Sequence, residues 1–170
     1  GTTTDVLPAP WNARTRVHEY GGGSWTVSAG TLWFTHFADQ RLYRLDPGSD
    51  TPVAVTPEPA LPASVRHADF EVAPDGVLAV RETHAEGGHA ADVVNEIVRV
   101  RPDGGTDVLV SGPDFVSDPR LAPDGVTLAH LRWDHPDMPW DAAQLVVRAA
   151  DGTEHVIAGG AGESVVQPVW

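Results

Sequence analysis

The chain has 170 residues, enough for one ordinary domain and too few for two comfortable ones. Eleven basic against 24 acidic residues leave a net charge of -13, a surface that repels phosphate backbones and argues against a nucleic-acid partner. With zero cysteines, disulfides, thiolate metal sites and a cysteine nucleophile are excluded, and a reducing, cytoplasmic setting is expected.

Fifteen prolines and 17 glycines punctuate the chain at a density that long helices do not survive. The opening GTTTDVLPAP lacks the basic and apolar regions of a secretory leader. No apolar run approaches the roughly 18–20 residues of a spanning helix, so no membrane partner is expected. Short β-branched and aromatic runs then follow one another at 24–27, 31–35, 41–45 and 53–55, with turn residues between them. The rhythm returns at 77–80, 96–100 and 107–110, and again at 127–131, 144–148 and 155–157. Runs this short, separated by turns, predict an antiparallel all-β protein with no amphipathic helix.

The runs repeat. Ala73-Pro74-Asp75-Gly76 recurs 49 residues later as Ala122-Pro123-Asp124-Gly125. Each copy leads into a Leu-Ala strand and then an arginine, Arg81 or Arg132. A later turn, Asp103-Gly104, recurs 48 residues on as Asp151-Gly152, and a looser first copy has Ala29-Gly30 and Asp46-Pro47-Gly48. A period of about 40–50 residues with four strands per copy is the signature of a β-propeller blade, because one four-stranded sheet buries its faces only by stacking on copies of itself. Blades are expected at about 20–57, 65–112 and 115–160, with 164–170 as the innermost strand of a fourth. Three blades and one strand do not close a ring of about 4–8 blades, so the fold class is a partial β-propeller and its open blades invite self-association.

Three stretches, His18-Glu19-Tyr20-Gly21-Gly22-Gly23, the tryptophan-rich 133–141 and Gly162-Glu163-Ser164 with Gln167-Pro168-Val169-Trp170, resemble the propeller of prolyl-oligopeptidase-family serine peptidases. The branch they resemble is that of the bacterial acylaminoacyl-peptidase and dipeptidyl-aminopeptidase-like enzymes. Asp39-Gln40-Arg41-Leu42-Tyr43-Arg44, Asp114-Phe115 and Asp118-Pro119-Arg120-Leu121 extend the match, which runs from Trp11 to Trp170. The resemblance implies an N-terminal propeller capping a C-terminal α/β-hydrolase domain with a Ser-Asp-His triad, short peptides as substrates, and a propeller that gates access and helps hold a peptide terminus. The nucleophile elbow G-x-S-x-G occurs nowhere in this chain: 22–26 and 162–166 each lack the last glycine. No catalytic residue is therefore assigned, and the hydrolase domain is expected to lie outside the chain. The competing reading is a non-enzymatic propeller that serves as a binding module.

Other chemistries weigh less. Gly21-Gly22-Gly23 leads into a strand with no lysine after it, which suits a close backbone approach and not a phosphate loop. Glu82, His84, Glu86, His89 and Asp92 carry ligand atoms at short spacing, but the spacing fits no standard metal pattern, so neither a metal nor a cofactor is expected. His130, Asp134 and His135 receive the same discount, and His130 reads as an interblade histidine. Trp133 and Trp140 bracket Pro136 and Pro139 and offer an aromatic shelf, though filling the gap between blades is the preferred role.

In a blade meander, strand ends alternate between the two faces of the disc. The short Asp-Gly turns share one face, while the long segments 18–23, 37–40, 82–95 and 133–141 share the other, where a scaffold displays function. The substrate-side candidates are Glu19, Tyr20, Glu82, His84, Trp133, Asp134, His135, Trp140 and Asp141. Among them, Glu19, Glu82 and Asp141 suit a free α-amino group, because a carboxylate pairs with an ammonium.

Overall fold

The structure is a computed structural model that describes residues 1–170. Twelve strands form three four-stranded antiparallel meanders. The first contains β1 (Trp25–Ser28), β2 (Thr31–Thr35), β3 (Leu42–Leu45) and β4 (Val53–Ala54). The second contains β5 (Val65–Ala73), β6 (Gly76–Thr83), β7 (Val94–Val100) and β8 (Thr106–Ser111). The third contains β9 (Phe115–Leu121), β10 (Leu128–Trp133), β11 (Gln144–Arg148) and β12 (Glu154–Gly159). The leading strands β1, β5 and β9 approach one another in sequence, which sets three blades around an axis as a partial β-propeller. Only two short helical turns interrupt the strands, a 3₁₀ turn at Ala90–Asp92 and α1 at Pro139–Ala142. No helix is long and apolar enough to cross a membrane.

Local chemistry explains the hairpins. Ser28 pairs with Thr31 across Ala29 and Gly30, which both take positive φ (49° and 82°), the twist that a two-residue hairpin requires. Alternation then assigns the faces. On β6, Leu78 and Val80 pack with Ala68, Ile97, Val110, Val116 and Leu128 in the seam between the second and third blades. Val77 and Ala79 point the other way, packing with Leu42, Phe70, Val98 and Val100 in the seam between the first and second. Leu78 and Ile97 are fully buried, and truncating either to alanine removes about 2–5 kcal/mol of stability.

The inner strands β5 and β9 do not stand among the runs legible in the sequence, because each is broken by a bulge. Asp69 and Asp118, 49 residues apart, take φ of 54° and 50° at matching register shifts. The bulge interrupts the alternation of apolar and polar residues that marks a strand. Pro119 is tolerated beside it because β9 is the edge of its sheet. Residues 164–170, read from the sequence as the innermost strand of a fourth blade, pair with no strand of the three blades. Gln167 nevertheless takes φ 52°, another 49 residues beyond Asp118, and Trp170 Nε1 donates to the Arg120 carbonyl at 2.9 Å. The repeat thus continues in backbone conformation as far as Gln167.

Candidate binding cleft at the loop-bearing rim

Toward the loop-bearing rim, the apolar face of the second blade that meets the third ends in a polar row. Arg66 on β5, Glu82 on β6 and Asn95 on β7 are direct cross-strand partners and share one face. The segment before β1 crosses this row. Val17 is fully buried in the seam below, and His18 and Glu19 follow with φ of 55° and 66°, an uncommon left-handed pair for residues other than glycine. Such strain persists only where surroundings hold it. Here the His18 N–H donates to Glu82 Oε2 at 2.6 Å, and the Gly21 N–H closes the turn on the Val17 carbonyl at 2.8 Å. The His18 ring meets Phe115 and Trp133 edge-on, each at 5.3 Å between centroids, while Phe115 and Trp133 stack at 9°.

Glu82 is only 3% exposed and is fully engaged. Its Oε1 accepts from Arg66 Nη1 at 2.9 Å and lies 2.6 Å from His84 Nε2. The same Arg66 nitrogen donates to Glu19 Oε1 at 2.7 Å and to the Arg16 carbonyl at 2.9 Å. Glu19, Glu82 and His84 bring ligand atoms within 4.8 Å of one another, a geometry that a metal accepts, but Arg66 already supplies the positive charge. The hydrogen bond from Arg66 holds the Glu19 carboxyl below its ordinary range, although its side chain is 75% exposed.

Asn95 is buried and donates Nδ2 to the Asp114 carbonyl at 2.8 Å. Its Oδ1 is shut off from solvent, as is His18 Nε2, and Asn95 is the polar side chain that the buried His18 ring meets. Burial lowers the His18 pKa, so the ring is neutral near pH 7. On the third-blade side, Asp114 Oδ2 accepts from the His135 N–H at 2.8 Å and lies 2.9 Å from its Nδ1. Those bonds hold the Asp114 carboxyl below its ordinary range. Asp134 Oδ1 accepts from the Asp114 N–H at 2.8 Å and orients this corner. Together His18, Glu19, Glu82, His84, Asn95, Asp114, Phe115 and His135, with the loop before β7, line an open cleft of about 860 Å³.

Other candidates lie elsewhere. Tyr20 is exposed and lines a separate axial cavity of about 690 Å³ with Asp69, Asp118 and Arg120. Trp133 is buried against Phe115, whereas Trp140 is 64% exposed on α1, so the two form no shelf. Asp141 accepts from the Met138 N–H at 3.3 Å within its own helical turn, outside both cavities. Asp92 likewise bonds locally, to the His89 N–H at 2.8 Å. Arg81 pairs with Glu96, Arg132 with Glu154, and Arg16 lies over the Phe37 ring, so these arginines serve packing within the blades. Arg66, Asn95 and Asp114 were missed in the sequence. Only Asp114 had a signal, beside Phe115 at the start of the third blade.

At the axis, Asp69 joins all three inner strands. Its carboxylate accepts from the Gly23 N–H and from the Asp118 N–H at 3.3 Å. Burial, reinforced by Asp118, raises its pKa. A side chain at Gly22 or Gly23 would place its Cβ 2.9 Å from Asp69 Oδ1, which explains glycine at both positions.

No protein-family model and no curated protein matches the chain. Among solved structures, it is similar to a puromycin-hydrolysing peptidase of Mycobacterium tuberculosis, with 38% identity over 98% of this chain and a TM-score of 0.87. A puromycin hydrolase matches over 100% of the chain at 36% identity, also with a TM-score of 0.87. The chain spans 28% and 29% of the length of those two proteins. A putative TolB from Agrobacterium tumefaciens, at 19% identity over 85% of this chain and a TM-score of 0.58, supports the propeller fold alone.

Proposed function

The chain belongs to the prolyl-oligopeptidase family as a segment of its β-propeller, and on that premise we propose that it forms the substrate-facing side of a peptidase acting on short peptides. In this reading an α/β-hydrolase domain of the same protein carries the serine nucleophile. The propeller admits short peptides, excludes folded proteins by size, and holds a peptide terminus.

One observation carries the reading: the loop-bearing rim opens into a cleft in which the Glu19 carboxylate is both exposed and fixed by Arg66. A fixed carboxylate meets a peptide ammonium with little loss of side-chain freedom. Asp114 and His135 add acceptor groups across the cleft. In this reading free amino termini are favoured over acylated ones, and the fixed Glu19 carboxylate supports the aminopeptidase branch over the acylaminoacyl one. A cytoplasmic setting belongs to the same reading, since a cysteine-free chain needs no oxidising compartment.

The test is kinetic. In the complete enzyme, Glu19→Gln should lower kcat/KM for short peptides with a free amino terminus by about fivefold, the range of an exposed ion pair. Acetylated substrates should be unaffected. Equal loss on both substrates would remove Glu19 from terminus recognition.

We further propose that the 170-residue chain alone self-associates through the outward faces of its end blades. Trp25 and Val27 on β1, and Val166, Val169 and Trp170 beyond β12, are exposed apolar groups that a second copy would cover. Sedimentation at micromolar concentration should give a dimer or larger species. A compact monomer would sink this part.

A further inference from the structure

The 11 basic residues of the chain are all arginines. Most of them pair with an aspartate or glutamate, and Arg41 gives its guanidinium to the Thr56 carbonyl. Arg14 and Arg16 stand apart: both are exposed, and neither meets a carboxylate of the chain. Local structure puts them there. Ala13 bridges antiparallel to His36, and the Arg14 N–H donates to the Thr35 carbonyl at 3.2 Å, so this segment runs extended beside the end of β2. Side chains of an extended chain alternate, and here Thr15 and Val17 turn inward while Arg14 and Arg16 share the outer face. Phe37, in the loop after β2, meets both. Its ring centre lies 4.9 Å from Arg14 Cζ and 4.5 Å from Arg16 Cζ. The negative face of the ring steadies each cation, and the Arg16 N–H bond to Gln40 Oε1 at 2.7 Å fixes the backbone between them. Packing against a ring uses the flat face of a guanidinium and leaves its N–H edge free to donate. Two like charges held at one ring repel, and an anion between their edges relieves that repulsion.

We propose that Arg14 and Arg16 clamp the terminal carboxylate of a short peptide whose amino terminus meets Glu19. The planar fork of a guanidinium matches a carboxylate, and two of them fix its direction. The negative and positive anchors sit on one short piece of chain, with Arg16 three residues before Glu19. The Glu19 carboxyl, held below its ordinary range first by the Arg66 hydrogen bond, also feels the Arg16 charge. A free short peptide is a zwitterion, so an exposed carboxylate and an exposed arginine pair on one rim match it end to end. A longer peptide satisfies only one of the two anchors. Length is then selected by charge as well as by exclusion of folded proteins. The proposal rests on the terminus reading above but uses different residues.

The test is made on the complete enzyme with trialanine and trialanine amide, which differ in the charge at the carboxyl end. The wild-type enzyme should favour trialanine in kcat/KM by about tenfold, two exposed ion pairs of about threefold each. Replacing both residues, Arg14→Gln with Arg16→Gln, should bring that ratio to about one. The ratio is read within one enzyme, so a loss of folded protein cancels. Arg14→Lys with Arg16→Lys keeps the charges and should retain most of the preference, a rescue that a purely packing role would not produce. Glu19→Gln should keep the carboxylate preference while losing the preference for a free amino terminus, so the two readings fail separately. A preference that survives the double glutamine variant would overturn the proposal, and so would equal rates for the two probes in the wild-type enzyme. Ala-Glu-Ala amide against Ala-Gln-Ala amide separates the remaining source of a carboxylate. A preference for the former that the double glutamine variant loses would assign the arginines to acidic side chains and overturn the assignment to the terminus.

Discussion

The two seams between blades share a construction but end differently at the loop-bearing rim. The seam between the first and second blades is sealed by Gln40, which is fully buried. Its Oε1 accepts from the Arg16 N–H at 2.7 Å and the Thr15 hydroxyl at 3.4 Å, and its Nε2 donates to the Phe37 carbonyl at 2.8 Å. Below it, His67 Nδ1 lies 3.3 Å from the Gln40 carbonyl, and the Thr35 hydroxyl donates to the His67 carbonyl at 2.7 Å. The seam between the second and third blades ends instead in the cleft, with the His18 ring and Asn95 buried beneath it. Both rims bury polar groups. The sealed rim spends its hydrogen bonds on holding blades together, and the open rim presents the Arg66-bound Glu19 carboxylate to solvent.

The largest expected effect is acid destabilisation. His67 in the sealed seam and His130 in β10 are buried, and burial lowers each pKa to about 4 from an ordinary 6.5. The folded state therefore refuses protons that the unfolded chain binds. The contribution of these histidines is fully present above about pH 6.5 and is lost as pH falls through about 4, roughly 3 kcal/mol for each ring at the acid limit. Denaturant midpoints at pH 7 and pH 4.5 should differ accordingly. His130→Leu, which removes two unpartnered ring nitrogens, should flatten the dependence by about half. An unchanged slope would mean that His130 is not held neutral.

A smaller effect is expected at Gln40. Gln40→Ala removes three hydrogen bonds from a buried site and places alanine at φ 61°. It should cost about 3 kcal/mol, a fall in Tm of about 6–12 °C. The smallest effect belongs to the open rim: Glu19→Gln should change stability by less than about 1 kcal/mol, because it weakens one solvent-exposed ion pair. Thermal melts of both variants test the contrast. Equal losses would erase the distinction between the rims.

Much of the architecture was legible in order along the chain. The Pro-Asp-Gly turns and the 49-residue period announced stacked four-stranded sheets, and the outer strands of every blade appeared as β-branched runs. The inner strands β5 and β9 did not, because the bulges at Asp69 and Asp118 break their alternation. The same period marked them in another way, since the two aspartates stand 49 residues apart. In the cleft, Glu19, Glu82, His84 and His135 were found from loop position and charge, whereas Arg66 and Asn95 sit within strands and carry no local mark.

The sequence by itself determined the repeat, the strand count within each blade, the face that carries the long segments and the family resemblance. These follow from turn chemistry and period, which are local properties. Only the tertiary structure decided that Arg66, Glu82 and Asn95 form one row, that Arg66 bridges Glu19 and Glu82, and that Trp133 is buried while Trp140 is not. Those outcomes depend on which residues of distant strands face each other across a seam. Register and stacking set that pairing, and neither is written in any short stretch of chain.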